Sequence, residues 1–92
     1  MTIEIESVIR RNADILETRV DEEVILMHPA SGAIFSLKTT SIAIWEALDG
    51  VRTVDQVIDA MAAEYAVARA VCAPEVIAFL DQLAAKDLIA RA

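Results

Sequence analysis

The chain has 92 residues, 57% of them apolar, with fifteen acidic against eight basic side chains for a net charge of −7. That length supports one domain burying roughly 60–65% of its unfolded surface, no apolar run approaches the ~20 residues of a membrane span, and the scattered cations, with Arg10-Arg11 the only adjacent pair, offer no stripe against phosphate backbones. A single cysteine excludes an internal disulfide and fits a reducing compartment.

Taken in order, the N-terminal stretch MTIEIESVIRR is acidic where a signal peptide needs a basic start and an apolar run, so an unexported, cytoplasmic protein is expected. Residues 15–20 alternate as a half-exposed strand does, with Leu16, Thr18 and Val20 on one face and Ile15, Glu17 and Arg19 on the other. Asp21-Glu22 is a tight turn into a second strand over residues 23–28. Its run Val24-Ile25-Leu26-Met27 is apolar on both faces, as in a central strand covered on each side. Pro29-Ala30-Ser31-Gly32 closes a hairpin, Pro presetting φ and Gly able to supply a positive one. In the third strand Ala33, Phe35 and Leu37 share one face, Ile34 and Ser36 the other.

Near Thr40 the composition turns alanine-rich and helical. A first helix, capped by Thr40 or Ser41, carries Ile42, Trp45 and Leu48 inward and stops at Gly50. Thr53-Val54-Asp55-Gln56 is a capping box opening the second, whose Val54, Val57, Ile58, Met61 and Tyr65 form one apolar stripe. A third begins at Pro74 with Glu75 favourable to its dipole, and Val76, Phe79, Leu80, Leu83 and Ala84 make its stripe. Leu88-Ile89 tucks back as the chain end. The expected architecture is α+β, a single domain over residues 1–92 with a three-stranded antiparallel sheet followed by three helices.

Cys72 and His28 are the only candidates for nucleophile and base, on segments that need not meet, and both glycines are absorbed by turns. Cys72 reads as a small buried apolar residue before a helix, His28 as a solvated turn residue at a strand end. One His and one Cys cannot complete a four-ligand zinc site without several carboxylates; no catalytic residue, metal or cofactor is expected. Asp14, Glu17, Asp21, Glu22 and Glu23 on sheet edges and turns, with Asp55, Asp59 and Glu64 on the second helix, read as a solvated face. Trp45 reads as core. The last helix is the exception: Val76, Ile77, Phe79, Leu80 and Leu83 make a stripe wider than two neighbours require. Part of it lines a groove beside an open sheet edge, a place for an extended peptide. A homodimer is another way to cover the excess apolar surface.

The succession EVILMHPASG, AIFSLKTTSIAIWEALDG, RTVDQVIDAMAAEYAV and PEVIAFLDQLAAKDLI resembles the PqqD-like proteins, the recognition elements for precursors of ribosomally made, post-translationally modified peptides. The likeness covers residues 15–89; its most specific parts are Leu37, Ile44-Trp45, Leu48-Asp49-Gly50, Thr53-Val54 and the last segment. The hairpin His28-Pro29-Ala30-Ser31-Gly32 departs from the family's founding member, and the Ile44-Trp45-Glu46-Ala47-Leu48 helix is similar to recognition proteins of lasso-peptide clusters. The resemblance implies a winged-helix-like domain without catalytic residues. Such a domain binds the leader segment of a precursor as an added strand on Ala33, Ile34, Phe35, Ser36 and Leu37. The groove wall is then drawn from Val76, Phe79, Leu80, Gln82, Leu83 and Lys86. The partners implied are a leader peptidase and an ATP-dependent cyclase or other modifying enzyme. A rival is a small winged-helix transcription regulator, disfavoured by the charge and by a last helix poor in the Arg, Lys, Asn or Gln that read bases.

Overall fold

The computed structural model describes residues 3–92; Met1 and Thr2, which begin the acidic N-terminal stretch, lie outside the described residues. The elements run β1 (Val8–Arg11), β2 (Leu16–Val20), β3 (Glu23–Met27), β4 (Ile34–Lys38), α1 (Thr40–Ala47), β5 (Asp49–Thr53), α2 (Val54–Glu64), α3 (Arg69–Ala85) and β6 (Ile89–Arg91). They form two antiparallel three-stranded sheets, ordered β2-β3-β4 and β5-β1-β6, with the three helices.

The sheet expected from the alternating segments is β2-β3-β4, and its turns are chemically explained. Asp21 takes a positive φ of 56° between β2 and β3. Gly32, at φ 75°, donates its N–H to the carbonyl of His28 at 2.7 Å and closes the second hairpin. Val24, Leu26 and Leu37 are fully buried on the helix-facing side, while Leu16, Val20, Met27 and Ile34 remain exposed on the other. The doubly apolar run of β3 is therefore covered on one face only, a correction to the sequence-based expectation.

The second sheet is an addition to the expected three strands. β1 holds only Ile9 in the core, β5 reads Asp-Gly-Val-Arg-Thr, and β6 has three residues. None carries a strand pattern of its own; distant pairing assembles them, Ile9 opposite Arg91 and Val8 opposite Thr53. Gly50 does not end a helix. α1 stops at Ala47, and Gly50 lies within β5 at φ 77°, where the register against β1 shifts.

The helices follow their local signals with three exceptions. Thr53 caps α2 as a full capping box, its Oγ1 accepting the Gln56 N–H at 3.1 Å while Gln56 Oε1 accepts the Thr53 N–H at 2.9 Å. Thr40 and Ser41 do not cap α1 by side chain: Thr39 is the N-cap, at φ 45°, and Thr40 begins the helix. Tyr65 is the half-exposed C-cap of α2, outside the buried stripe. α3 starts five residues before Pro74, which loses one helical hydrogen bond inside it. Arg69 at its first turn is fastened to Asp55 and Asp59 of α2, and Cys72 is buried against α2 with its Sγ toward the Ile58 carbonyl at 3.9 Å. That packing outweighs the proline signal. The core runs from Ile9, Val24, Leu26 and Leu37 through Trp45, Leu48 and Ile58 to Leu80, Leu83, Leu88 and Ile89. Leu88-Ile89 thus tucks back as expected.

Replacing Thr53 by Ala should remove the Oγ1 acceptor of the Gln56 N–H, leaving the reverse bond from the residue 53 amide, and lower stability by about 1 kcal/mol. The urea midpoint is expected to fall with an unchanged slope; an unchanged midpoint would show that the Thr53 hydroxyl cap contributes nothing.

Candidate functional site

Among the described residues β4 is bonded on one side only, to β3. The His28 N–H donates to the Ala33 carbonyl at 2.9 Å, and the register is unbroken from there to Glu23 opposite Lys38. Alternation in an antiparallel ladder then assigns Ala33, Phe35 and Leu37 to β3, and turns the N–H and C=O of Ile34, Ser36 and Lys38 outward. Lys38 is already satisfied, because Ser41 Oγ donates to its carbonyl at 2.8 Å and accepts its N–H at 3.3 Å. Ile34 and Ser36 are left with two outward donors and two outward acceptors.

α3 runs alongside this edge. Phe35 and Phe79 meet edge to face, centroids 6.1 Å apart. At the hairpin end, His28, Ala33, Ala85, Lys86 and Asp87 line an open depression. At the other end a hollow of about 200 Å³ is lined by Thr40, Ile44, Val71, Cys72, Glu75 and Val76, among others. Along α3 they follow in order: the hollow at residues 71–76, which Met61, Tyr65 and Val67 also line, the aromatic pair at Phe79, and the depression at residues 85–87. The fourteen helical residues from Cys72 to Ala85 span about 21 Å, the length of about six strand residues.

The expected wall residues divide. Phe79 is half-buried and Gln82 and Lys86 are exposed, so they can form the groove surface. Val76, Leu80 and Leu83 are buried to within 1% and belong to the core, as does Leu37. They back the wall, because a helix covering two neighbours uses its central stripe for them. Ala33 and Phe35 are half-buried toward the helices, while Ile34 and Ser36 point their side chains to the outer face. Sequence reasoning missed Val71, Glu75, Thr40 and Ile44. Stepping back by four from Phe79 reaches Glu75, read from sequence only as favourable to the dipole, and Val71, which a helix starting at Pro74 leaves out.

The charged groups nearby are paired or solvated. Glu23, on the outer face beside β4, bonds Lys38 Nζ at 3.1 Å and the Ser36 hydroxyl at 3.1 Å, and these two hold its carboxyl below the ordinary range. Because the folded value is depressed, its small contribution is full above the usual carboxylate range and fades as pH falls through the lowered value. Trp45 is buried, yet its Nε1 donates to Glu17 Oε1 at 2.5 Å.

His28 is not the solvated residue its turn suggests. It is buried at 8% exposure, with Nε2 3.0 Å from Asp87 Oδ2 and Nδ1 without a partner. The contact joins the β3–β4 hairpin to the end of α3, across the groove's end. Cys72 lines the opposite hollow, and burial pushes its thiol upward in pKa, which makes it a poor nucleophile. Among the described residues no His, Cys, Asp and Glu group could hold a metal, and no helix is long and apolar enough to cross a membrane.

Residues 23–89 match the family described as Coenzyme PQQ synthesis protein D (PqqD). No curated protein matches the chain at a significant level. Two solved structures resemble it. TbiB1 in complex with the TbiA(beta) leader peptide is 30% identical over 87% of this chain and 93% of that one, with a TM-score of 0.78. A lasso peptide synthetase B1 complexed with the leader peptide shares the fold at 20% identity, covering 91% of this chain and 99% of that one, TM-score 0.80.

At the groove's end, His28→Leu removes the partnerless Nδ1 and keeps the volume, so its stability should stay within about 1 kcal/mol of the parent. His28→Ala should lose about 2 kcal/mol or more through the cavity it leaves. Equal losses on chemical denaturation would mean that the imidazole's polar contact, not its bulk, holds that corner.

Proposed function

The chain belongs to the PqqD family, and from that premise we propose that it is a non-catalytic adaptor. It binds the leader segment of a ribosomal precursor peptide by strand addition and presents it to maturation enzymes, a leader peptidase and a cyclase or other modifying enzyme. The whole chain acts as one recognition domain, without cofactor, in the cytoplasm where precursors are made. The observation that carries this reading is the pair of unsatisfied backbone units at Ile34 and Ser36, facing a groove walled by α3. The 30% identical TbiB1, solved with a leader peptide, supports it.

A bound strand makes up to four backbone bonds with Ile34 and Ser36, each worth about 0.5–1.5 kcal/mol net. The intervening peptide residue faces Phe35 and Phe79, and its neighbours two away reach the hollows at either end. Leu37, Val76, Leu80 and Leu83 fix the wall from behind; Phe79, Gln82 and Lys86 touch the peptide. Holding a substrate this way raises its concentration at a shared enzyme to the order of mM for a short tether, so no catalytic group is required. A thiol made less acidic by burial and a histidine tied to Asp87 at the other end of the groove fit that absence.

The regulator reading is weaker. The first residue of α3, Arg69, is committed to Asp55 and Asp59, which leaves that helix little charge for phosphates. At about 100 mM salt no duplex DNA should be retarded; sub-micromolar, salt-sensitive binding to any duplex would support the regulator instead.

The strand-addition test uses proline, which cannot donate to a ladder. Ser36→Pro removes an outward amide while leaving every backbone bond to β3, so it should weaken binding of a labelled synthetic leader at least tenfold, about 1.4 kcal/mol. Ser36→Ala should be nearly neutral, and Lys86→Glu should alter affinity without unfolding. Full affinity in a folded Ser36→Pro protein places the peptide elsewhere.

A further inference from the structure

We propose that β2, the other free edge of the same sheet, is a self-pairing edge through which two copies of the chain associate antiparallel. The inference is independent of the adaptor reading. β3 spends the backbone groups of Val24 and Leu26 on β4, so those of Glu23, Ile25 and Met27 bond Val20, Thr18 and Leu16 of β2. The N–H and C=O groups of Glu17 and Arg19 therefore point out of the sheet, and all five residues of β2 are exposed. A two-fold pairing must set such outward residues opposite one another.

Three registers near the strand centre do this. One centred on Glu17 sets carboxylate against carboxylate; one centred on Arg19 sets guanidinium against guanidinium. The register centred on Thr18 alone places Glu17 opposite Arg19 of the second copy, twice, with four backbone hydrogen bonds. On the outer face the same register sets Leu16, 51% exposed, against Val20 of the second copy, 53% exposed, and Thr18 against Thr18. Opposite charges and apolar side chains across the ladder favour it, and like charges disfavour the alternatives.

The charged pair is held ready. Trp45 Nε1 occupies Glu17 Oε1, leaving Oε2, and Glu46 occupies Arg19 Nη2 at 2.7 Å, leaving Nε and Nη1. The product is a continuous six-stranded sheet with β4 outermost in each copy, so neither groove is blocked. A five-residue edge buries less than the roughly 1,200 Å² of a stable interface, and a net charge of −7 on each copy opposes contact. The association is therefore reversible and concentration-dependent.

The test uses a Cys72→Ala background. Thr18→Cys places two thiols at the axis in a non-hydrogen-bonded pair, with Cα atoms about 4.5 Å apart and within disulfide reach. At about 100 µM, a concentration suited to a small interface, mild oxidation should give a covalent dimer. Leu16→Cys and Val20→Cys should each stay monomeric, since their own copies lie about 13 Å apart, but a mixture of the two should cross-link. In sedimentation equilibrium, Arg19→Glu should weaken association at least tenfold, and Glu17→Arg combined with Arg19→Glu should restore it. No dimer from Thr18→Cys, equal cross-linking at all three positions, or unchanged association of Arg19→Glu overturns the proposal.

Discussion

Every structural consequence here turns on one property of β-sheets: a strand's backbone groups alternate between its two sides, and those on an unpaired edge must be satisfied by something other than the sheet. In β4 the inward set is used by β3, and the outward set divides. Lys38 is closed off by the Ser41 hydroxyl, whereas Ile34 and Ser36 are left facing α3. On the opposite edge, β2 carries Glu17 and Arg19, whose side chains turn back onto Trp45 and Glu46. One sheet thus presents a capped, groove-bound edge and a charged, exposed one, and charge of that kind discourages indiscriminate strand addition.

An open edge becomes a binding site only if its opposite wall is fixed. The wall is α3, and its stiffness comes from residues that never reach the groove. Val76, Leu80 and Leu83 seat it in the core, while Arg69 ties its start to α2 through Asp55 and Asp59. The Phe35–Phe79 edge-to-face pair ties the sheet to α3 at mid-groove, and the His28–Asp87 contact ties the hairpin to the turn that follows α3. Preorganisation of this kind lowers the ordering entropy of binding to that of the peptide itself.

Much of this was legible in the sequence where the signal is local. The alternation of residues 15–20, the Asp21 and Gly32 turns and the Thr53–Gln56 box each carry their own chemistry, and each forms as expected. β1, β5 and β6 were not legible, because Ile9 is their one deeply buried side chain before Ile89 and their pairing joins residues about forty apart for β1 with β5 and about eighty apart for β1 with β6. The start of α3 was misread because Pro74 is a good first helical residue taken alone, whereas packing of Cys72 and the Arg69 clamp extend the helix past it. The burial of His28 could not be inferred either, since its partner Asp87 is brought in by the turn that follows α3. The family resemblance placed the edge strand as a block; the alternation of its hydrogen bonds singles out Ile34 and Ser36 within it.

The most direct measurement is amide hydrogen exchange of the protein, residue by residue, with and without a synthetic leader peptide. Strand addition on β4 predicts new protection at the outward amides of Ile34 and Ser36. Phe35 and Leu37, already bonded to β3, should change little by comparison. Protection absent at Ile34 and Ser36 while the peptide is demonstrably bound, or appearing instead at Glu17 and Arg19 on β2, would contradict the account.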